Sequence, residues 1–334
     1  MRCLLILNPG SQGGKSKAKF ERIFAFLHNN KVKFDYKLTK TLDDAYTFSL
    51  EGNKKGYDLI LAVGGDGTIN RVISGFYDLQ GKRISNSKLA VIHTGTSPDF
   101  CKSYNLPLEI DQALNAVLEG KTIQIPMAKI TYLSEYDQTL DGQPLSLSHK
   151  KLQTSYFACC ANIGIGAAVA RGANSGIRDY IGDFAGTLVS LIKGLVSYHP
   201  VNFSVCIDGK QEVLEKVYNI FVGKTTYIAS GLKVKNELAL NDPRLYGLII
   251  KKLGLVNWVK VLQKLYSGNE FANNSTMSLL YVQQMEIFGS STNNEIEFDG
   301  DPRGFLPCKI EPALDALEVI CPQKGLHRFK IDGK

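Results

Sequence analysis

At 334 residues the chain is long enough for two domains, each with its own core. With 44% hydrophobic and 21% charged residues it has the balance of a globular protein, and no apolar run approaches the ~20 residues of a membrane-spanning helix. The net charge of +7 suits an anionic nucleotide or an anionic membrane surface. It does not point to nucleic acid, because no basic stripe is interleaved with aromatics and the lysines are spread as on a solvated face.

The seven cysteines are odd in number and show no metal-ligand spacing. Cys3, Cys159, Cys160, Cys206 and Cys321 lie in apolar runs and read as core thiols, which implies a reducing compartment, the cytoplasm. The five histidines form no ligand cluster. Met1 to Leu7 has the flavour of a signal peptide, but Asn8-Pro9-Gly10 breaks it too early, and a first buried strand is expected.

That strand, Arg2 to Leu7, leads into the glycine-rich loop Asn8 to Ser16 and then a helix from about Lys17 to Asn30. Strand, glycine loop, helix is phosphate-binding architecture. Gly-Gly-Lys-Ser at its end is not a Walker A loop, since G-x-x-x-x-G-K-[ST] requires glycine where Pro9 stands. Val32 to Leu38 alternates and reads as a second strand, with Thr39 as N-cap of a helix from about Leu42 to Gly52.

Asp58 to Val63 is a buried parallel strand, followed by Gly64-Gly65-Asp66-Gly67 and a helix from Thr68 to about Leu79. Glycines there would permit positive φ in a tight turn and let a ligand approach the backbone. Free amides before a helix favour phosphate, and Asp66 among phosphates calls for an intervening cation such as Mg²⁺. A plain glycine turn closing a core strand is the bland alternative.

Leu89 to Ile92 is a fourth strand, entering His93-Thr94-Gly95-Thr96-Ser97-Pro98-Asp99-Phe100, and Asp111 to Gly120 is a helix. Strands alternating with helices make a doubly wound α/β domain that binds ligands at the carboxyl ends of its strands. Beyond Thr122 the period becomes two, in Ile123–Tyr132, Ser155–Ala161, Val201–Ile207, Val217–Val222, Leu245–Lys252, Gln283–Ile287 and Ile296–Asp299. An antiparallel β domain, sandwich-like or barrel, is expected. One helical insertion, about Asp179 to Ser197, sets Phe184, Leu188, Leu191, Ile192 and Leu195 on one side, as a packed helix or as a groove wall for an acyl chain. Asp299-Gly300 is by itself a hairpin turn signal.

The stretch Gly64-Gly65-Asp66-Gly67-Thr68-Ile69-Asn70 resembles the nucleotide-binding signature of the diacylglycerol kinase catalytic-domain family. Asn8-Pro9-Gly10-Ser11-Gln12 is similar to that family's Asn-Pro-x-Ser-Gly loop, with Gln12 in place of glycine. Gly95, Thr96, Asp99 and Phe100 match Gly-Thr-x-Asn-Asp-Phe, with Pro98 in place of asparagine and its hydrogen bonds lost. Asn162 to Val169 is similar to a Gly-Phe-Asp-Ala stretch, with Gly166 in place of aspartate. Gly231 to Tyr246 aligns with a loop that binds a structural Mg²⁺, which implies Asp242 with the carbonyls of Ala239 and Arg244 as ligands, although Pro243 replaces glycine. Phe298-Asp299-Gly300-Asp301 matches the family's Asp-Gly-Glu, which implies Asp299 as general base and Asp301 as a shorter group near the nucleotide and its metal network.

The resemblance spans Asn8 to about Pro322 and implies an ATP- and Mg-dependent lipid kinase that transfers the γ-phosphoryl group to a lipid hydroxyl. The nucleotide would meet the loops at Asn8 and Gly64, together with Thr39, Gly95 and Thr96, and Asp66 would hold Mg²⁺. The expected layout is an α/β nucleotide domain at 1–124, rejoined by 312–334, and a β-rich lipid domain at 125–311, with the active site in the cleft between them. The enzyme would be cytoplasmic and meet the membrane peripherally. Which lipid it takes is not written in the sequence, and a homodimer is compatible with it. Two other readings stand beside this one. An NAD kinase is disfavoured by the lack of a Thr-Pro-Thr-Gly-Ser-Thr-like stretch. A nucleotide- or lipid-binding homologue with impaired catalysis is suggested by the departures at Pro98, Gly166, Pro243 and Tyr246.

Overall fold

In a computed structural model of the chain, the described residues are 1–135, 152–167, 198–228, 231–251, 267, 273–289, 295–298 and 301–322. The chain divides into two compact units, one of Met1–Met127 with the segment from Ala313 onward, the other of Ala128–Pro312.

The first unit runs β1 (Arg2–Leu7), α1 (Lys17–Asn29), β2 (Lys33–Leu38), α2 (Leu42–Lys54), β3 (Leu59–Gly64), α3 (Asp66–Ser74), β4 (Lys88–His93), α4 (Asp99–Ser103), α5 (Ile110–Glu119) and β5 (Thr122–Ile125). Its sheet has six strands, in which β2, β1, β3 and β4 are neighbours in that order and all parallel. The strand Leu317–Ile320 lies between β4, to which it is parallel, and β5, to which it is antiparallel. β1, β3 and β4 are buried along nearly their whole length, which is why they read as continuous apolar runs. Phe20, Ile23 and Leu27 of α1 and Ala113, Leu114, Ala116 and Val117 of α5 seal one core with the inward residues of those strands. Each such large side chain, fully buried, contributes about 1.5–3 kcal/mol.

Local chemistry moves three expected boundaries. The cap of α2 is Thr41, not Thr39: the Thr41 hydroxyl accepts from the Asp44 amide, and the Asp44 carboxylate accepts from the Thr41 amide. α3 stops at Ser74, short of Leu79, because Gly75 follows and its backbone lies against Ser49 of α2. The single strand expected from Ile123 to Tyr132 is two strands in different units, parted at Pro126, which has no amide to donate to a ladder.

The second unit contains β6 (Ala128–Leu133), β7 (Leu152–Phe157), β8 (Cys160–Gly164), β9 (Val201–Ile207), β10 (Lys210–Gly223), β11 (Tyr227–Ile228), β12 (Leu232–Lys233), β13 (Leu245–Lys251), β14 (Met277–Val282), β15 (Met285–Ile287), β16 (Glu295–Phe298) and β17 (Asp301–Pro312). Its larger sheet follows the order β14-β13-β10-β8-β16-β17-β15-β9, with β6 on β17 and β7 on β6. β10 is far longer than the six residues expected, and the register breaks between Leu214 and Val217. Its first half pairs with β9 and its second half with β8 and β13, so the ladder returns to the strand from which it set out. Tyr132, Phe157, Phe203, Phe298 and aliphatic residues of nine of these strands fill the core. Among the described residues no helix is long and apolar enough to cross a membrane. The expected helical insertion and its groove residues lie outside the described residues.

Candidate active site

Three loops leave the carboxyl ends of the neighbouring strands β1, β3 and β4 and are joined by hydrogen bonds. The Asn8 amide continues the β1–β3 register by donating to Val63 O at 2.9 Å, and Asn8 Nδ2 donates to Thr68 Oγ1 at 2.8 Å. Asn8 Oδ1 accepts from the Gly10 amide at 2.9 Å, which folds Pro9 and Gly10 back over the strand end. Ser11 Oγ donates to Thr94 O at 3.0 Å and Gln12 Nε2 to Gly95 O at 2.8 Å. The Thr94 amide donates to Gly64 O at 2.8 Å. Gln12, where the family has glycine, thus joins Ser11 in tying the first loop to the third, at a positive φ of 52°.

Gly64 and Gly65 of the central loop serve close approach. None of Gly64, Gly65 and Gly67 adopts positive φ, and the expectation of a left-handed turn there is corrected. A Cβ on Gly64 would sit 2.5 Å from Thr68 Cβ, and one on Gly95 would sit 2.6 Å from Gly65 Cα. Gly65 is the N-cap of α3, so the amides of Asp66, Gly67 and Thr68 begin a helix and have no intrahelical acceptor. Gly65, Asp66, Gly67, Gly10 and Thr96 keep solvent exposure, while Thr68 and Asn70 are buried in the first turns of α3. Such an end presents N–H groups and a positive partial charge to an anion.

Asp66 crosses from the second loop to the third. Its Oδ2 accepts the Asp99 amide at 3.0 Å and the Phe100 amide at 3.4 Å, so it caps α4, whose N-cap position is Pro98. An asparagine at 98 is therefore not needed to start that helix. Asp66 Oδ1 is buried and lacks a hydrogen bond. His93 Nε2 lies 3.4 Å from it, close enough for an ion pair but not aligned for a hydrogen bond. The same nitrogen is 3.2 Å from Ser97 O, which only accepts, so Nε2 carries the proton. A buried carboxylate oxygen with an open coordination position fits a cation held at Asp66. Thr39 is buried at the end of β2, with its amide donating to Leu7 O at 2.9 Å.

In the β-rich unit the Ala239–Arg244 loop precedes β13. The Asp242 amide donates to Ala239 O at 3.0 Å. Both Asp242 carboxylate oxygens face Arg244, which donates from its amide at 2.9 Å, from Nε at 3.1 Å and from Nη2 at 2.7 Å. Those hydrogen bonds, set against burial, hold the Asp242 carboxyl below its ordinary value. Lys224, just past β10, donates from Nζ to Asp242 O at 2.6 Å and to Arg244 O at 2.7 Å. Burial pushes the Lys224 ammonium down to about 8, against the pull of the Asp242 charge. With the ammonium on the implied Arg244 carbonyl and on the Asp242 main-chain carbonyl beside it, and the Asp242 carboxylate bonded to Arg244, the loop does not fit a metal ion at the same place.

Asp299 lies outside the described residues. The neighbouring ladder is described as far as Phe298 opposite Asp301, which is the first residue of β17. Among the described residues no group of three His, Cys, Asp or Glu side chains is arranged for metal binding. His93 and Lys224 are the two site residues that sequence reasoning passed over. Each acts through partners that only the fold brings near, although His93 directly before Thr94-Gly95 stood inside a loop already singled out.

Residues 2–130 match the diacylglycerol kinase catalytic domain, and residues 160–321 match the YegS C-terminal NAD kinase beta sandwich-like domain. A diacylglycerol kinase of Bacillus subtilis (strain 168) is 24% identical over 330 residues, covering 98% of this chain and 99% of the relative. One from Staphylococcus aureus (strain MRSA252) is 24% identical over 326 residues, covering 96% and 92%. Two crystal structures from Bacillus anthracis str. Sterne share the fold, one with a TM-score of 0.73 at 20% identity, covering 97% of this chain and 96% of that one. The other, described as a diacylglycerol kinase, has a TM-score of 0.61 at 18% identity, covering 97% of each. With its α/β half and its β-rich half both matched, the chain belongs to the diacylglycerol kinase catalytic-domain family.

Proposed function

We propose that this protein is a lipid kinase that transfers the γ-phosphoryl group of ATP to a lipid hydroxyl. The observation that carries this reading is the knitting of the Asn8, Gly64 and Gly95 loops around the amide-rich start of α3. Phosphoryl transfer asks mainly for positioning and charge neutralisation. The Gln12 amide and those beginning α3 cradle the phosphates, and Thr96 and Thr39 contact the rest of the nucleotide. Mg²⁺, when bound with the nucleotide, supplies neutralisation of phosphate charge, and Asp66 is the residue that would hold it. Asp299 takes the proton from the attacking hydroxyl, a role a carboxylate can fill because the proton leaves only as the new bond forms. Asp301 supports the metal network.

The relatives named as diacylglycerol kinases favour a glycerolipid acceptor with one free hydroxyl. Such an acceptor keeps its tails in the bilayer, so the enzyme works at the membrane surface without spanning it. Seven free thiols, six of them buried, agree with a reducing compartment.

The test is γ-labelled ATP with mixed lipid vesicles, comparing wild type with Asp299→Asn. Labelled lipid from the wild type alone, with ATP binding equal in both, supports the assignment. Equal product from both proteins removes Asp299 as the base, and no product from either favours a nucleotide-binding protein without catalysis.

A further inference from the structure

We propose that the Lys224 ammonium is the resident cation of the Ala239–Arg244 loop, pinning its carbonyls as a structural metal would, so that the β-rich unit holds its shape without a divalent ion. The inference concerns that unit and stands whatever reaction the protein catalyses.

The geometry carries it. Two carbonyl oxygens two residues apart, those of Asp242 and Arg244, converge on one point, and that point is Lys224 Nζ at 2.6 and 2.7 Å. These are lengths of charge-assisted hydrogen bonds. An Mg²⁺ or Ca²⁺ ion takes six or more oxygens at about 2.0–2.6 Å. Bound to the same two carbonyls, it would lie within about 3 Å of a positive nitrogen, where like charges repel strongly. The loop's carboxylate is not free to compensate, since both Asp242 oxygens are bonded to Arg244.

The lysine is held in place from its own backbone. The Lys224 amide donates to Cys159 O at 3.0 Å, and the next residue, Thr225, gives its carbonyl to the fully buried Tyr246 hydroxyl at 3.1 Å. Tyr246 is opposite Gly223 in the β10–β13 ladder. Tyr246, one of the residues that depart from the family's loop pattern, therefore anchors the strand end that delivers the ammonium.

The experiment uses the full chain, free of nucleotide, at pH 7, with thermal melting and with Mn²⁺ counted by electron paramagnetic resonance as a stand-in for Mg²⁺. Asp66→Asn is measured alongside to set aside any ion held at the nucleotide loops. Wild type is expected to melt at the same temperature in EDTA and in Mg²⁺, and Asp66→Asn to retain no Mn²⁺. Lys224→Ala is expected to melt about 3–6 °C lower, having left two carbonyls unpaired. The proposal is overturned by an Mn²⁺ ion that wild type binds and Asp66→Asn retains, or by Lys224→Ala melting with the wild type. Should Lys224→Ala fail to fold, the Mn²⁺ count in wild type and Asp66→Asn decides alone.

Discussion

Asp66 Oδ2 accepts the Asp99 amide at 3.0 Å while Asp66 Oδ1 stays buried without a hydrogen bond. One side chain thus does two separable things: it caps α4 and it presents a charge to the loops. Asp66→Asn keeps an oxygen for the amides and removes the charge. It is expected to melt close to wild type while losing about ten- to a hundredfold in kcat/KM, the worth of one charge-assisted contact. Asp66→Ala loses the cap as well and is expected to cost a further ~1 kcal/mol of stability. Full activity in Asp66→Asn would show that the reaction does not use the charge.

Gly95 and Gly65 touch backbone to backbone, and a methyl on Gly95 would meet Gly65 Cα at 2.6 Å. Neither loop can retreat easily, because Gln12 Nε2 holds Gly95 O and the Thr94 amide holds Gly64 O, each at 2.8 Å. Gly95→Ala is expected to destabilise by ~1–3 kcal/mol, the usual cost of overpacking. It is also expected to raise KM for ATP while leaving KM for the lipid unchanged. Steady-state kinetics with each substrate varied in turn checks this, and an unchanged KM for ATP would reduce the contact to a packing role.

The α/β half was legible because its signals are local. A buried parallel strand is a continuous apolar run, and Gly64-Gly65-Asp66-Gly67 interrupts one at its end, so strand, loop and helix could be read together. Even the misplaced cap had a local cure, since Thr41 with Asp44 three residues on is a capping box in plain sight. The sheet continuity lost at Pro126 was equally local, because a residue without an amide sat inside an alternating run. What could not be read was anything set by partners distant in sequence. His93 meets Asp66 from another strand, and Lys224 meets the Asp242 loop from the end of β10. A lone histidine and a lone lysine carry no mark of such partners.

Gly166 stands where the family has aspartate, and the β-rich unit supplies a reason. Its amide donates to Asn219 Oδ1 at 2.8 Å, and a Cβ would lie 2.8 Å from Asn162 Cβ and 3.0 Å from that same Oδ1. Asn219 has no exposed surface. Gly166→Ala is therefore expected to cost ~1–3 kcal/mol. Asn219→Ala relieves part of the crowding while leaving the amide unpaired, so the double variant should be less destabilised than the sum of the singles. A double-mutant cycle from urea unfolding measures this, and strict additivity would mean that the two residues do not share the strain.

Lys129 on β6 and Glu311 on β17 are directly paired, and Glu311 bridges to Lys129 Nζ at 3.1 Å and to Lys309 Nζ at 3.0 Å. Burial pushes the Glu311 carboxyl up, but the two ammonium groups outweigh it and hold it below its ordinary value of 4.5. A carboxyl with a depressed value in the fold releases its proton more readily there than in the unfolded chain. Its contribution is thus complete above about 4.5 and is lost as pH falls through the lower folded value, because the unfolded state then binds the extra proton. The three side chains keep some exposure, so the contribution at pH 7 is only about 0.5–1 kcal/mol. Glu311→Gln cannot titrate and should lie below wild type by that amount at pH 7. The gap should close as the solution is taken towards pH 3, read from urea unfolding at each step. A gap that stays constant over that range would mean that shape rather than charge accounts for the difference.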